Sequence, residues 1–310
     1  MTRAASVVVT SRSFGDGAIA VDATLATHGL EVTRGPADHD PAVLAPLLHE
    51  AVAWIAGTGP VTDEHLRLAP NLRIVARYGT GVDGVDLDAA RRRDVIVTNT
   101  PGANADAVAE HTIALTLACL RHIVAADRQV REGQWPAIRG RELGASTVGI
   151  VGFGEIGRRV ARIVTGFGAT VVVHDPFVDA AGATSLPLDA LLERADVVSL
   201  HCPPASAPVI DAAALQRMRP RAVLINTARA SLLVEDAVAA ALQRGTLGAL
   251  GTDVLERSAA PSALLAAPRT VFTPHCAAQT DQAIDRMGAA AVAEVVRVVI
   301  DETAPLHPVA

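Results

Sequence analysis

The chain has 310 residues, half of them hydrophobic, with 19% charged and only 3% aromatic side chains. That is enough for about two domains, each burying its own core. A net charge of -6, without a basic run of five, gives no general attraction to phosphate backbones or anionic membranes, so neither is an expected partner. Cys119, Cys202 and Cys276 are too few and too scattered for a disulfide framework or a CxxC metal site. No metal is expected, a reducing cytoplasm is, and each cysteine reads as a small buried hydrophobe. The apolar stretch at the N-terminus is too short and too soon broken for a signal peptide. No run of about 18 uncharged apolar residues suggests a membrane span.

Short apolar runs alternate with helix-period stretches from end to end, the pattern of parallel sheets covered by helices. Runs 6–10, 52–56, 72–76 and 95–98 read as strands, with helices over 41–51 and 62–68. One long helix is predicted over 106–132, stopped by Gly133 and Trp135-Pro136. A second strand series follows at 147–151, 170–174, 197–201, 222–226 and 250–254, each run almost continuously apolar, as in strands buried on both faces. Helices are expected at 156–165 and 235–243, and a last one at 281–300, after the second series has ended. The expectation is therefore an α/β protein of two Rossmann-like, doubly wound parallel-sheet domains. A flavodoxin-like domain takes residues 1–101 plus 281–310, and a nucleotide-binding domain, 102–280, is inserted in it.

Gly152-Phe153-Gly154-Glu155-Ile156-Gly157 follows the strand 147–151 and opens a helix. Gly152 permits a tight turn, Gly154 lets backbone approach a pyrophosphate, and Gly157 lets helix and strand pack closely. The helix start then points its N–H groups at the phosphates. The next strand ends in His174-Asp175-Pro176, eighteen residues beyond Gly157. A carboxylate there accepts hydrogen bonds from ribose hydroxyls and repels a 2′-phosphate, so the expected cofactor is NAD. A lone GxGxxG is weak evidence; strand, turn, helix and acid together are not.

Further segments occur in a telling order: Tyr78-Gly79-Thr80-Gly81-Val82-Asp83, then Asn99-Thr100-Pro101-Gly102 with Val108-Ala109-Glu110-His111, then the glycine turn. Ile225-Asn226-Thr227-Ala228-Arg229, Thr252-Asp253-Val254-Leu255-Glu256 and Thr273-Pro274-His275 follow. Over most of its length the chain thus resembles the D-isomer-specific 2-hydroxyacid dehydrogenase family, the phosphoglycerate dehydrogenase-like enzymes. The resemblance implies two domains with a cleft between them, a homodimer formed through the nucleotide domain, and hydride transfer between NAD(H) and a small anionic 2-hydroxy or 2-oxo acid.

That reaction needs a cation for the substrate carboxylate and carbonyl, a proton carrier of near-neutral pKa, and usually a carboxylate orienting that carrier. Arg229 can grip a carboxylate bidentately, although alone it would read as a surface ion pair. His275 fits the proton carrier, although a single His is more often structural. The resemblance places Thr227 and Ala228 with the cofactor, Asp253 on the nicotinamide carboxamide, Asn104 facing the cofactor, and His201 and Pro203 at the strand end beside the adenine. Asp253 and Asn104 have a plainer reading as capping residues. Backbone N–H groups of Gly79, Thr80 and Gly81, after Tyr78, resemble a carboxylate-holding loop. Arg77 before them is either a holder of a second anion or a solvated strand-end charge.

The third role is where the chain departs from the family. The Glu that touches the catalytic His there lies in an Asp-Val-Phe-Glu-x-Glu-Pro type segment. Here Asp253-Val254-Leu255-Glu256-Arg257-Ser258 puts Ser258 at that position, and Ala230 replaces the Gly after the catalytic Arg. Three explanations are open. Glu256 swings in, Ser258 holds the imidazole through a neutral hydrogen bond, or the chemistry does without a raised His275 pKa. Ala56-Gly57-Thr58 stands where the phosphoglycerate-oxidising branch commonly carries an Arg, which argues against that substrate. Two rival readings are hydride transfer with another small oxoanion (phosphonate, phosphite or formate-like) and a non-catalytic NAD(H)-sensing protein on the same fold. His111 reads as helix surface or interface. Cys276 reads as packing, pointing away from His275 along an extended segment.

Overall fold

Val7, Val8 and Val9 are adjacent on one strand, yet none is more than 1% exposed, so both faces of the first sheet are covered. The computed structural model describes residues 5–178, 182–256 and 261–309. The chain divides into two units, Met1–Asn104 with Ala278–Ala310, and Ala105–Ala277.

The first unit begins β1 (Ala5–Val9), α1 (Val21–Thr27), β2 (Leu30–Arg34), α2 (Pro41–Glu50), β3 (Ala51–Ala56), α3 (Asp63–Arg67), β4 (Ile74–Arg77), α4 (Leu87–Arg92) and β5 (Ile96–Thr98). All pairings are parallel, in the order β2-β1-β3-β4-β5. Val8, Trp54, Val75 and Val97 form one face of this sheet and pack with Leu44, Leu48, Leu66 and Ala89 of the covering helices. Full burial of each such aliphatic or aromatic side chain contributes about 1.5–3 kcal/mol.

The second unit runs α5 (Ala105–Arg121), α6 (Ile123–Arg131), β6 (Thr147–Val151), α7 (Glu155–Gly166), β7 (Thr170–His174), β8 (Thr184–Ser185), α8 (Leu188–Arg194), β9 (Val197–Leu200), α9 (Ala212–Arg217), β10 (Ala222–Asn226), α10 (Glu235–Arg244), β11 (Leu247–Thr252) and β12 (Thr270–Phe272). Its strands are again all parallel, ordered β12-β11-β10-β9-β6-β7-β8. Along β10, Ala222 and Leu224 enter one core, and Val223 and Ile225 the other. That alternation is what a strand buried on both faces requires. The long helix α11 (Asp281–Val299), capped by Thr280 on the Ala283 N–H, returns to the first unit. Its Ile284 carbonyl accepts the Tyr78 hydroxyl at 3.1 Å.

Both sheets are parallel and helix-covered, as the alternating pattern required. The single helix expected over 106–132 is corrected: His122 adopts a left-handed backbone (φ 55°), and α5 and α6 meet there at a 62° bend. No Gly or Pro marks the break. The edge strands β2, β8 and β12 escape the apolar pattern because they are short or half-exposed. β11 starts earlier than expected and ends at Thr252, its apolar run interrupted by Gly248 and Gly251. Among the described residues no single helix is long and apolar enough to cross a membrane.

Candidate active site

Parallel strands deliver all their C-terminal ends to one edge of a sheet, and the second unit gathers its polar motifs there. The glycine turn follows β6, Asp175 follows β7, His201 follows β9, Arg229 lies beyond β10, Asp253 follows β11, and Thr273 to His275 follow β12.

The glycine turn is shaped by close approach. Gly152 has φ +92°, and a Cβ on it would come within 2.6 Å of the Cys202 N and the His201 carbonyl carbon, where the β6 and β9 ends nearly touch. A Cβ on Gly157 would collide with the Gly152 carbonyl oxygen, whereas one on Gly154 would meet nothing within 4 Å. The open side of Gly154, at the start of α7, therefore leaves the cradle a pyrophosphate needs. Asp175 closes the turn from the next strand, its carboxylate accepting from the Phe153 N–H at 2.7 Å, Phe177 at 2.9 Å and Val178 at 3.1 Å. Burial works against its ionisation, yet those N–H groups and neighbouring His174 hold its carboxyl below the usual range.

The side chains within the motif are spent elsewhere. Phe153 is 7% exposed in the core, Ile156 packs on the same core, and Glu155 pairs with Arg159 at 2.6 Å. None of the three side chains is therefore left for a phosphate, and the Phe153 N–H is already on Asp175. His201 bonds Ser199 Oγ at 2.8 Å, and burial holds its pKa down to about 3, so the ring is neutral. Its Nδ1 is buried without a hydrogen-bond partner, an orphaned polar atom at the edge where a cofactor fits. Pro203 is exposed at the same strand end.

Arg229 stands on a turn fastened by Asn226, a residue the motif contained but to which no role was given. The buried Asn226 amide donates to the Arg229 carbonyl at 2.8 Å and accepts the Ala228 N–H at 3.0 Å. Thr227 Oγ1 meets Thr112 Oγ1 of α5 at 2.9 Å, and Arg229 Nη1 donates to the Ala228 carbonyl at 2.8 Å.

Asp253, 1% exposed, organises the segment that carries His275. Its Oδ1 accepts the Thr273 hydroxyl at 2.5 Å and the Cys276 N–H at 2.9 Å, its Oδ2 accepts the Ala277 N–H at 2.9 Å, and its carbonyl accepts the His275 N–H at 2.9 Å. Held this way, His275 is left-handed (φ 57°) and exposed. The premise of an extended segment is thereby corrected: the left-handed backbone breaks the alternation at His275, and the next residue, Cys276, has its N–H on Asp253. His111, read as helix surface or interface, is partly exposed and has a partner within its own unit. Its Nε2 lies 2.9 Å from Thr273 Oγ1, and since that hydroxyl's proton goes to Asp253, Nε2 is the donor. A helical pattern hides such a contact because its partner is 162 residues away.

Glu256 is exposed, with its N–H on Glu235 Oε1 at 2.9 Å. Ser258 lies outside the described residues. Glu235 also accepts the Ser262 hydroxyl, so one carboxylate at the start of α10 holds both flanks of segment 257–260.

In the first unit the predicted substrate loop follows β4. Arg77 is 8% exposed and its Nη1 donates to the carbonyls of Ala56 and Gly57, capping the end of β3 rather than standing in solvent. Tyr78 is packed edge-on against Phe14, and burial raises its pKa to about 12. Gly79 (φ +133°) donates its N–H to Thr100 Oγ1 at 3.1 Å, so one of the three expected N–H groups is taken. Among the described residues no acceptor stands on the N–H groups of Thr80 or Gly81. Asn104 Oδ1 accepts the Thr80 hydroxyl at 3.2 Å, which ties it to this loop.

The family model described as D-isomer specific 2-hydroxyacid dehydrogenase, NAD binding domain, matches residues 113–277. The chain is 43% identical over 262 residues to a D-3-phosphoglycerate dehydrogenase of Mycobacterium tuberculosis, the match covering 81% of this chain and 49% of that protein. It thus spans about half the length of the curated mycobacterial relatives it matches. A glyoxylate reductase of Korarchaeum cryptofilum is 38% identical over 245 residues, covering 74% of each chain. Among solved structures, the TT0316 protein of Thermus thermophilus superposes with a TM-score of 0.90 at 35% identity, over 98% of this chain and 100% of that one. The chain belongs to the D-isomer specific 2-hydroxyacid dehydrogenase family.

Proposed function

We propose that the protein is an NAD(H)-dependent oxidoreductase moving a hydride between the nicotinamide and C2 of a small 2-hydroxy or 2-oxo acid. The observation that carries the reading is the shared strand-end edge of the second sheet, where the glycine turn, Asp175, Arg229, Asp253 and His275 follow β6, β7, β10, β11 and β12. In open parallel sheets that edge is where ligands bind. When bound, the nicotinamide supplies the hydride donor or acceptor. The N–H groups at the start of α7 hold the phosphates, and Asp175 takes the ribose hydroxyls while its charge rejects a 2′-phosphate. Arg229 grips the substrate carboxylate and draws electron density from the 2-oxo group. His275 donates a proton to the C2 oxygen in reduction and removes it in oxidation. Asp253, besides meeting the carboxamide, sets the turn on which His275 stands. In the first unit, the N–H groups of Thr80 and Gly81 suit an anion.

An unphosphorylated substrate is favoured. Ala56-Gly57-Thr58 offers no cation, and the Arg77 Nη1 beside it is committed to two carbonyls. The test is the near-ultraviolet absorbance of NADH followed against a panel of 2-oxo acids. Turnover of unphosphorylated acids is expected. No turnover alongside tight NADH binding would favour a sensing role, and turnover of phosphorus oxoanions alone would replace the substrate class.

The same reading includes a homodimer in a reducing cytoplasm, where the three free thiols suit the compartment. Support for the dimer comes from α6, which buries no residue and exposes Ile123, Val124 and Val130, and from Trp135, 89% exposed just beyond it. Apolar surface of this kind is costly to leave in water and suits a self-complementary contact. Sedimentation of the full chain should give a dimer, and Val124→Glu with Trp135→Glu should give a monomer.

A further inference from the structure

The cluster beneath the His275 turn has a chemistry that hydride transfer does not use. One ligand atom each from His111, Asp253 and Cys276 lies within 4.8 Å of the others. Imidazole nitrogen, carboxylate oxygen and sulfur are the donor types that bind zinc-like cations. Among the described residues no other three His, Cys, Asp or Glu side chains are gathered in this way.

The three come from separate elements: α5, the end of β11, and the turn after β12. Asp253 cannot swing away, because the N–H groups of Cys276 and Ala277 and the Thr273 hydroxyl hold both of its oxygens. His111 is 22% exposed and Cys276 is half-buried, which leaves an approach from solvent. Thr273 Oγ1 now bridges His111 Nε2 and Asp253 Oδ1, at 2.9 and 2.5 Å. A cation would take over that bridging role with a stronger set of bonds.

We propose that His111, Asp253 and Cys276 form a binding site for a borderline-soft divalent cation of the zinc type. Uptake makes one bond each to nitrogen, oxygen and sulfur, with water as the fourth ligand; the His111 ring proton moves from Nε2 to Nδ1 so that Nε2 can ligate, the Cys276 thiol proton leaves to solvent, and nothing is oxidised or reduced. Bonds of ~2.0–2.3 Å require the donors to draw together, and the two partly exposed side chains supply that movement. Mg2+ and Ca2+, which take oxygen ligands, do not suit this set. Because Asp253 also carries the turn of His275, the site adjoins the groups of the reaction proposed above, although its existence does not depend on that reaction.

The test is titration of the full chain with Co2+, which reports a bound thiolate through sulfur-to-cobalt absorption and four-coordination through its visible bands. The absorption should appear, be displaced by Zn2+, and ignore Mg2+. Cys276→Ser should abolish the charge-transfer band at unchanged melting temperature, and His111→Gln should weaken Co2+ binding by more than roughly tenfold. A wild-type spectrum without the band overturns the proposal, as does an equal band in Cys276→Ser. Should His111→Gln fail to fold, the Cys276→Ser spectrum decides. Absence of dehydrogenase activity would leave these spectra unaltered, so the two readings fail separately.

Discussion

Each unit contains a polar network inside an apolar surround, and the two are built to different ends. In the first unit, Thr10 Oγ1 accepts from Trp54 Nε1 at 3.0 Å and from the Gly57 N–H at 3.1 Å, and meets His39 Nε2 at 2.6 Å. His39 Nδ1 lies 2.9 Å from the Pro60 carbonyl, and His65 Nε2 2.7 Å from the His39 carbonyl. Thr10, His39, Trp54 and His65 are all 1% exposed or less. Every donor and acceptor of the Thr10 hydroxyl is used, and nothing faces water. In the second unit the buried Asp253 is equally well satisfied, yet its network ends in partly exposed His111 and Cys276 and in exposed His275. A closed network fixes a fold; one with an open end holds reactive groups in position for something to arrive.

Substituting the open end should cost activity without stability. His275→Asn keeps a residue that tolerates the left-handed backbone, so the turn survives, while carbonyl reduction should slow by roughly 10²–10⁴-fold at an unchanged melting temperature. A lowered melting temperature would put His275 in the same class as His39. The closed network should behave in the opposite way. Thr10→Val leaves Trp54, Gly57 and His39 without their partner and should cost on the order of 2–3 kcal/mol in denaturant unfolding, with turnover per folded molecule preserved.

Acidity offers a subtler contrast. Burial, reinforced by nearby Arg77 and His65 against the opposing Pro60 hydrogen bond, lowers the His39 pKa from 6.5 to about 4. Between those values the unfolded chain binds the proton and the folded one does not. Stability is therefore full above pH 6.5 and falls as pH drops toward 4, by about 3 kcal/mol at most from this group. His201, lowered by burial to about 3, adds a loss of the same sign. His39→Gln should flatten the slope of unfolding free energy against pH without abolishing it. An unchanged slope would show that His39 is not buried neutral.

The smallest effect belongs to the glycine turn's own acid. Glu155 is exposed and paired with Arg159, which keeps Asp106 at 2.6 Å in any case. Glu155→Ala should change stability by no more than about 0.5 kcal/mol and leave NADH affinity unaltered by titration calorimetry. A clear loss of affinity would give the side chain a role beyond its backbone.

Strands buried on both faces were legible along the chain, because β6, β7, β9 and β10 must be apolar at nearly every position. The edge strands β2 and β8 were not, having little to bury, and the bend at His122 had no breaker residue to announce it. At the site, Gly152, Gly157 and Asp175 could be read from order and spacing because a turn is local. Asn226 and Thr273 lie inside the motifs without a role that spacing reveals, and the helical pattern around His111 reads as surface or interface. Each acts through a hydrogen bond, and the bonds of Thr273 and His111 reach across the fold to residues remote in sequence.

Composition, periodicity and motif order by themselves thus determined the α/β class, the glycine turn with its acidic partner, and the presence of Arg229 and His275 on segments that follow strands. Tertiary structure alone decided what surrounds those groups. It set Asp253 as the organiser of the His275 turn, spent one terminal nitrogen of Arg77 on two carbonyls, and brought His111 and Cys276 to a single carboxylate. Local preferences act over a few residues and leave a pattern in the chain. The partners of a buried polar atom are whichever groups the packed strands bring within about 3 Å, and no spacing along the chain encodes them.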